Sequence, residues 1–110
     1  MTNEALLEGL ISELKRGTIV LAALSQLKSP QYGYSLVQTL NEKGLDVEAN
    51  TLYPLLRRLE SQHLLTSEWE TGGSKPRKYY VLTEYGGEIY EKLKVNWKDA
   101  VKSMAALTEE

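Results

Sequence analysis

The chain has 110 residues, of which 42% are hydrophobic and 25% are charged, and its formal net charge is -2. This length and balance fit one compact domain and leave little room for two. Cysteine is absent and there is 1 histidine, which excludes disulfides, thiolate metal sites and an all-histidine metal site within one chain. The longest apolar run, residues 19–24, is far shorter than the roughly 20 residues needed to cross a bilayer. Acidic residues interrupt the N-terminus where a secretory signal would be apolar, so we expect a cytoplasmic protein.

Residues 3–27 have the apolar spacing of one long or broken helix. Hydrophobic side chains repeat there at intervals of three and four residues, at Leu6, Leu7, Leu10, Ile11 and Leu14. Gly17 is a place where the helix can break, and the Ser-Pro pair at residues 29–30 ends it.

Two further helices follow, separated by a short connection. The first is predicted over residues 34–43, and Gly44 is suited to end it in a left-handed conformation. Asn50 is a good N-cap for the second helix, which reaches residue 62 and has Pro54 in its first turn. One face of the second helix is apolar, at Leu52, Leu55, Leu56 and Leu59. His63 follows this helix, where its side chain suits the negative end of the helix dipole.

The pattern then changes from helical to extended. Residues 66–71 and 77–82 are rich in Thr, Trp, Tyr and Val, and they flank a Gly-Gly-Ser-Lys-Pro segment at residues 72–76. This pattern predicts a β-hairpin with a flexible, basic tip. Thr83 is the predicted N-cap of a long final helix over residues 84–107, with Glu84 at its positive end.

The charge is unevenly distributed, and the hairpin lies in the only basic segment. Residues 50–83 carry five basic and three acidic side chains, whereas residues 1–49 and 84–110 each have a net charge of -2. Because exposed charges more than about 10 Å apart are screened at 0.1 M salt, this local excess governs attraction to phosphate groups. A solvated surface of uneven charge is the alternative interpretation.

Helix, short turn, helix and basic hairpin is the order of a winged helix-turn-helix. The predicted fold class is therefore mainly α with a small β-hairpin, with residues 1–83 forming the winged helix-turn-helix domain and residues 84–110 a C-terminal dimerisation helix. In such a domain one helix enters the DNA major groove and the hairpin contacts the adjacent backbone or minor groove. The helix that begins at Asn50 turns its leucines inward. It presents polar and basic side chains outward: Asn50, Thr51, Tyr53, Arg57 and Arg58. An ordinary amphipathic helix with two solvated arginines is the simpler alternative.

The final helix carries an apolar seam, which another helix is expected to cover. Hydrophobic residues follow a spacing of 3, 4, 3, 4 and 3, as in a coiled coil, at Tyr90, Leu93, Trp97, Ala100, Met104 and Leu107. We expect a homodimer, because readers of this kind commonly use two half-sites about 34 Å apart. Packing of the first helix on the seam within one chain is the alternative. The predicted dimer interface consists of Leu7, Ile11, Tyr90, Leu93, Trp97, Ala100, Val101, Met104 and Leu107.

Three motifs together closely resemble the PadR family of transcriptional regulators. They are YGYSL at residues 32–36, NTLYPLLRRLE at residues 50–60, and RKYYVLT at residues 77–83 followed by Gly86. The short final helix resembles the small PadR subfamily, in which one C-terminal helix builds the dimer. The resemblance implies a homodimeric repressor that binds a near-palindromic double-stranded operator. It assigns DNA contact to Tyr34, Asn50, Thr51, Tyr53 and Arg57, and the wing to Lys75, Arg77 and Lys78.

Trp97 lies in the middle of the seam, where a large ring can leave a flat cavity near the dimer axis or simply anchor a core. Some small PadR members are similar to multidrug-sensing repressors in which a Trp of the last helix and its symmetry mate sandwich flat aromatic drugs. Trp97 matches that position, and Glu8 and Asp99 are the candidates for attracting a cationic drug.

These features predict a dimeric DNA-binding repressor that a small planar aromatic ligand releases from its operator. A winged-helix protein-interaction module, or a regulator without a small-molecule ligand, is the alternative. We expect no enzyme, metal site or cofactor, because the sequence has no paired nucleophile and base, no metal cluster and no phosphate-binding loop. We expect no membrane partner either.

Overall fold

A computed structural model of the chain describes residues 3–109, which form a mainly helical fold with one small sheet, as predicted. In chain order the elements are α1 (Asn3–Arg16), α2 (Thr18–Ser25), β1 (Gln31–Tyr32), α3 (Gly33–Glu42), α4 (Ala49–Ser61), β2 (Leu65–Glu70), β3 (Arg77–Leu82) and α5 (Glu84–Thr108). Met1, Thr2 and Glu110, the outermost residues of the two predicted units, lie outside the described residues. No helix within residues 3–109 is both long and apolar enough to cross a membrane.

The broken N-terminal helix is confirmed, with the break at Gly17. This glycine keeps a right-handed helical conformation (φ -70°, ψ -21°), so α2 begins directly after α1 ends. The hydroxyl of Thr18 donates to the carbonyl of Lys15 over 2.7 Å across the break. α2 is apolar and buries Ala23 and Leu24, whereas α1 buries none of its residues.

α3 and α4 end in the same hydrogen-bonding pattern. After α3, the Gly44 N–H donates to Asn41 and the Leu45 N–H donates to Leu40, and Gly44 has φ +97°, as predicted. After α4, the equivalent bonds leave from His63 and Leu64, and His63 has φ +64°. The position of His63 therefore requires a left-handed backbone. The sequence pattern indicated only the helix dipole at this position and did not predict this conformation.

The predicted start of α4 is wrong by two residues. Glu48, in an extended conformation (φ -92°, ψ 154°), is the N-cap, and its carbonyl accepts from the N–H groups of Thr51 and Leu52. Asn50 therefore lies inside the first turn and Pro54 inside the second. Pro54 lacks the N–H that would bond the Asn50 carbonyl in a regular helix.

The sheet has three antiparallel strands in the order β1-β3-β2. β2 and β3 form the predicted hairpin, with Leu65 opposite Leu82 and Glu70 opposite Arg77. β1 was not predicted, because two residues are too short to show an alternating pattern. It pairs with β3, and Tyr32 lies opposite Tyr79. This pairing fixes the start of α3, which follows β1 directly, against the wing.

The core lies between α2, α3, α4 and the sheet, and the start of α5 closes it. Its fully buried side chains of largest volume are all leucines: Leu24, Leu27, Leu36, Leu52, Leu56, Leu59 and Leu65. Thr83 caps α5 as predicted, since its hydroxyl oxygen accepts from the Gly86 N–H at 2.8 Å. The second half of α5 continues past the core, and the described chain measures 56 × 35 × 23 Å.

Candidate nucleic-acid interface

The outer face of α4 is polar and basic. Asn50, Thr51 and Arg57 are exposed, as is the neighbouring Arg58. The first turn of α4 carries no acidic residue. The positive end of the helix dipole and the two arginines give this face a positive field, which the exposed Glu48 at the N-cap offsets in part. Such a face is suited to donate hydrogen bonds to acceptors in a DNA groove.

Tyr53 differs from the other predicted contact residues of α4, because it is half-buried. Its ring packs against the backbone of Gly33 at the start of α3, so closely that a Cβ at Gly33 would lie 2.3 Å from the ring carbon Cε1. Glycine at this position therefore allows the two helices of the helix-turn-helix to meet through Tyr53. Only part of the Tyr53 ring is available to a ligand.

The two strand residues of the predicted wing cluster point to opposite faces of β3, as successive strand residues must. Arg77 turns toward the start of α3, where its Nη1 donates to the Tyr34 hydroxyl at 3.2 Å. Lys78 turns toward the end of α4, where its Nζ lies 3.5 Å from Glu60 Oε1. Lys75 lies at the exposed hairpin tip. The structure thus brings Arg77 and Tyr34 together and separates Lys78 from them.

A cluster of Tyr32, Tyr34, Glu70 and Arg77, here called the wing latch, ties the hairpin to the helix-turn-helix. The rings of Tyr32 and Tyr34 stack with their planes 3° apart and their centroids separated by 5.7 Å. The Tyr32 hydroxyl donates to the Glu70 carboxylate. This hydrogen bond raises the pKa of Tyr32 above its ordinary value. The Arg77 guanidinium lies 5.3 Å from the Tyr32 ring centroid.

Sequence reasoning missed Tyr32 and Glu70 as parts of the site. A second pair, the Tyr79 hydroxyl donating to Glu68 at 2.9 Å, joins the two strands of the hairpin but does not reach α3. The latch therefore ties the hairpin to the start of α3, while the Tyr79 bond acts within the hairpin. The proximity of Tyr32 to Glu70 depends on β1, so no local pattern could have indicated it.

The residues predicted for ligand binding do not lie together. Trp97, 46% exposed, lines a groove of about 500 Å³ between α2, the end of α3 and α5. Glu8 lines a different groove, between α1 and the connection that precedes α4. Asp99 lines neither of these grooves.

The residues predicted for the dimer interface fall into two groups. Tyr90 is 8% exposed and belongs to the chain's own core. The other members are exposed on α1 and α5, so packing of α1 does not cover the α5 seam within one chain. They are Leu7, Ile11, Leu93, Trp97, Ala100, Val101, Met104 and Leu107. Two unpartnered apolar faces of this kind mark interaction surfaces.

A helix pair with an exposed basic second helix, flanked by a latched β-hairpin, defines the chain as a winged helix-turn-helix protein. No cluster of three potential metal-ligating side chains occurs among residues 3–109. Residues 20–92 match the model of the PadR-like family of transcriptional regulators, and the chain belongs to this family.

Three relatives bear on this assignment. The chain is 48% identical to a PadR family transcriptional regulator from Eggerthella lenta DSM 2243, and the match covers 96% of this chain and 95% of that crystal structure with a TM-score of 0.90. It is 40% identical over 55 residues to the transcriptional regulator Rv3488 of Mycobacterium tuberculosis, spanning about half of each chain, 50% and 51%. Bacillus subtilis PadR in complex with operator DNA shares the fold, with 23% identity, a TM-score of 0.66 and coverage of 71% of this chain and 46% of that one.

Proposed function

We propose that the protein is a homodimeric repressor that binds a near-palindromic DNA operator and is released from it by a small planar aromatic ligand. The observation that carries the proposal is the wing latch, because it ties the basic hairpin to the start of α3, where Gly33 packs against Tyr53 of the exposed, basic α4. Together these two elements offer donors to base edges and cations to the flanking phosphates. The function requires the protein in the cytoplasm, with its DNA.

Each contact residue has a distinct role in this proposal. Asn50 and Thr51, in the first turn of α4, contact base edges, because the N-terminal part of a recognition helix enters the major groove. Arg57, two turns further along, binds a phosphate. Lys75 and Arg77 of the wing bind the adjacent backbone. Lys78 contributes to the positive electrostatic field, but its Nζ lies 3.5 Å from Glu60 Oε1 in a salt bridge.

Tyr34 and Tyr53 complete the proposed DNA surface in a different way. Tyr34 is 51% exposed, and its hydroxyl already accepts from Arg77, so the two side chains approach the DNA together. Tyr53 supports the geometry of the helix pair and offers only its exposed ring edge.

A near-palindromic operator requires two DNA-binding surfaces, and dimerisation supplies them. The exposed apolar faces of α1 and α5 support it, since a 25-residue helix continues past the core with Leu93, Val101 and Met104 uncovered. In this proposal residues 84–110 form the dimerisation unit and residues 1–83 the DNA-binding unit. The ligand binds between the protomers at Trp97 and changes the separation of the two α4 helices. Because coupling is reciprocal, ligand and operator weaken each other by the same factor.

A gel-shift salt series on DNA from the promoter of the protein's own gene, carrying an inverted repeat, tests the DNA-binding function. Affinity should fall by about 0.9 log units per log unit of salt for each phosphate neutralised. Arg57→Gln should weaken binding and reduce this slope by about one unit for each phosphate that the arginine no longer neutralises. Lys102→Gln on α5 makes the same change of charge away from α4 and the wing, so it should leave the slope unchanged. A flat salt response would favour the protein-interaction alternative.

A further inference from the structure

A groove of about 370 Å³, here called the basic groove, lies between α4 and the junction of α1 with α2. Ile19 and Val20 of α2 and Leu55 of α4 supply much of its apolar lining. Its two charged residues come from different elements, Arg16 from the end of α1 and Arg58 from α4. Both arginines are exposed, so the fold brings two cations from distant parts of the sequence to one surface groove.

The two arginines of α4 serve different sides of the helix. Successive residues of an α-helix are about 100° apart, so neighbours in sequence do not share a face. Arg57 follows Tyr53 by four residues, and Tyr53 packs against Gly33 at the start of α3, where the wing is attached. Arg58 follows Thr51 by seven residues, and both line the basic groove. Arg58 therefore lies toward the α1–α2 junction, away from the wing.

The positive charges of the basic groove are not neutralised by carboxylates. No salt bridge within residues 3–109 involves Arg16 or Arg58, and no acidic side chain lines the basic groove. The acidic side chains nearby line the adjoining groove, which shares Arg16: they are Glu8, Asp46 and Glu48. The basic groove therefore attracts anions, and the acidic residues limit this attraction to the side of Arg16 that faces α4.

A helix in the major groove of DNA lies between two phosphate backbones. The groove is about 12 Å wide, and a helix with its side chains is about 10–12 Å across, so a helix that enters it meets phosphates on both sides. Arg57 and the wing provide cations on one side of α4. The basic groove provides them on the other, and Thr51, a proposed base contact, forms part of its lining.

We propose that Arg16 and Arg58 together bind one phosphate of the DNA backbone, on the side of α4 away from the wing. The inference rests on the proposed function and deepens it, because it assigns a second backbone contact in each protomer to the α1–α2 junction. Guanidinium groups suit this contact, since their planar array of donors pairs with phosphate oxygens. Their alkyl stems can cover apolar surface such as Ile19 and Leu55 while the charged ends stay in water.

This contact connects DNA binding to the proposed dimer interface. Arg16 is the last residue of α1, which carries Leu7 and Ile11 of that interface and buries no residue within the chain. Across the break between α1 and α2, the Thr18 hydroxyl donates to the Lys15 carbonyl over 2.7 Å. A phosphate bound by both arginines favours one angle between α1 and α4 over the others. The spacing of the two α4 helices in the proposed dimer is therefore restricted by the DNA itself.

Ethylation interference on DNA from the promoter of the protein's own gene tests the contact. In Arg16→Gln/Arg58→Gln, one phosphate of each half-site should lose its interference signal, whereas the signals that depend on the wing should remain. Each single variant should weaken binding about four- to 25-fold, the square of a two- to fivefold ion-pair effect, because the dimer has two copies. The double variant should lose less than the product of the single losses, since both arginines share one phosphate. The slope of log affinity against log salt should fall by about 1.8 for the two phosphates.

A neutral methylphosphonate at the identified phosphate isolates the contact chemically. It should weaken binding of the parent protein and leave the affinity of Arg16→Gln/Arg58→Gln unchanged. Lys92→Gln/Lys102→Gln is the matched control, because it removes the same two charges from α5 and neither lysine lines the basic groove. This control should keep the interference pattern of the parent and its response to the methylphosphonate.

The possible failures are distinguishable. An interference pattern that is identical for the parent and the arginine double variant would overturn the inference and leave operator binding intact. Equal losses of affinity in the arginine and lysine double variants would show that net charge is responsible. Single losses that multiply fully in the double variant would show that the two arginines do not share a phosphate. Binding by the parent that does not vary with salt would refute operator binding itself, and this inference with it.

Discussion

Gly86 lies where the start of α5 crosses the connection between α4 and β2, and replacing it with alanine tests how tightly this crossing is built. A Cβ at Gly86 would lie 1.9 Å from the carbonyl oxygen of Leu64 and 2.8 Å from its carbonyl carbon. Both are backbone atoms, and the Leu64 carbonyl also accepts from the Thr83 N–H at 3.1 Å. The new methyl group cannot be accommodated by turning a side chain, so α5 itself must move.

The size of the effect follows from these distances. Restoring an ordinary contact of at least 3.4 Å requires a shift of about 1.5 Å. Overpacking of this kind costs about 1–3 kcal/mol, and losing the Thr83–Leu64 hydrogen bond adds about 1 kcal/mol. Alanine gains about 1 kcal/mol over glycine in a helix. Gly86→Ala should therefore lower the free energy of unfolding by about 1–3 kcal/mol.

Gly87→Ala is the matched control, because Gly87 is the next residue of α5 and nothing lies within 4 Å of the position that a Cβ would take there. It gains the same helix propensity without a clash, so it should stabilise the protein by about 0.5–1 kcal/mol. Urea denaturation of the two variants and the parent, at one fixed protein concentration, measures both changes. Equal stabilities of Gly86→Ala and Gly87→Ala would refute the reasoning about the crossing.

Two further predictions concern the end of α4 and the wing. His63→Gly relieves a left-handed conformation that costs about 1–2 kcal/mol, and the extra chain entropy of glycine offsets part of this gain. Thermal melts should therefore show stabilisation of about 0.5–1 kcal/mol. A lower melting temperature would contradict this account. Tyr32→Phe removes the hydroxyl that donates to Glu70 and should weaken operator binding at constant salt about two- to fivefold, whereas Tyr79→Phe, which removes a bond within the hairpin, should have little effect. Similar losses for the two tyrosine variants would show that the latch does not position the wing.

Local signals in the sequence predicted most of the fold. The leucine stripe of α4, the glycine that ends α3 and the threonine that caps α5 each act over one or two helical turns, so their patterns are visible in short stretches of sequence. The start of α4 was misplaced because Glu48 caps it through its backbone carbonyl, without a side-chain hydrogen bond to reveal it.

The parts that sequence could not predict are pairings between distant residues. Tyr32 and Glu70 are 38 positions apart, and Tyr34 and Arg77 are 43 apart. Their contact depends on a two-residue strand without a pattern of its own. The basic groove is of the same kind, because Arg16 and Arg58 meet there only after the chain has folded.

The absence of any buried residue in α1 has a consequence for how the protein responds to its own abundance. A helix of 14 residues is marginal by itself, so α1 gains most of its order from whatever covers its leucines. In the proposed dimer that ordering accompanies the association of two subunits, so the concentration of DNA-binding regulator rises with the square of the free monomer concentration. A gene under such control would switch over a narrower range of regulator supply than one governed by a single-chain repressor.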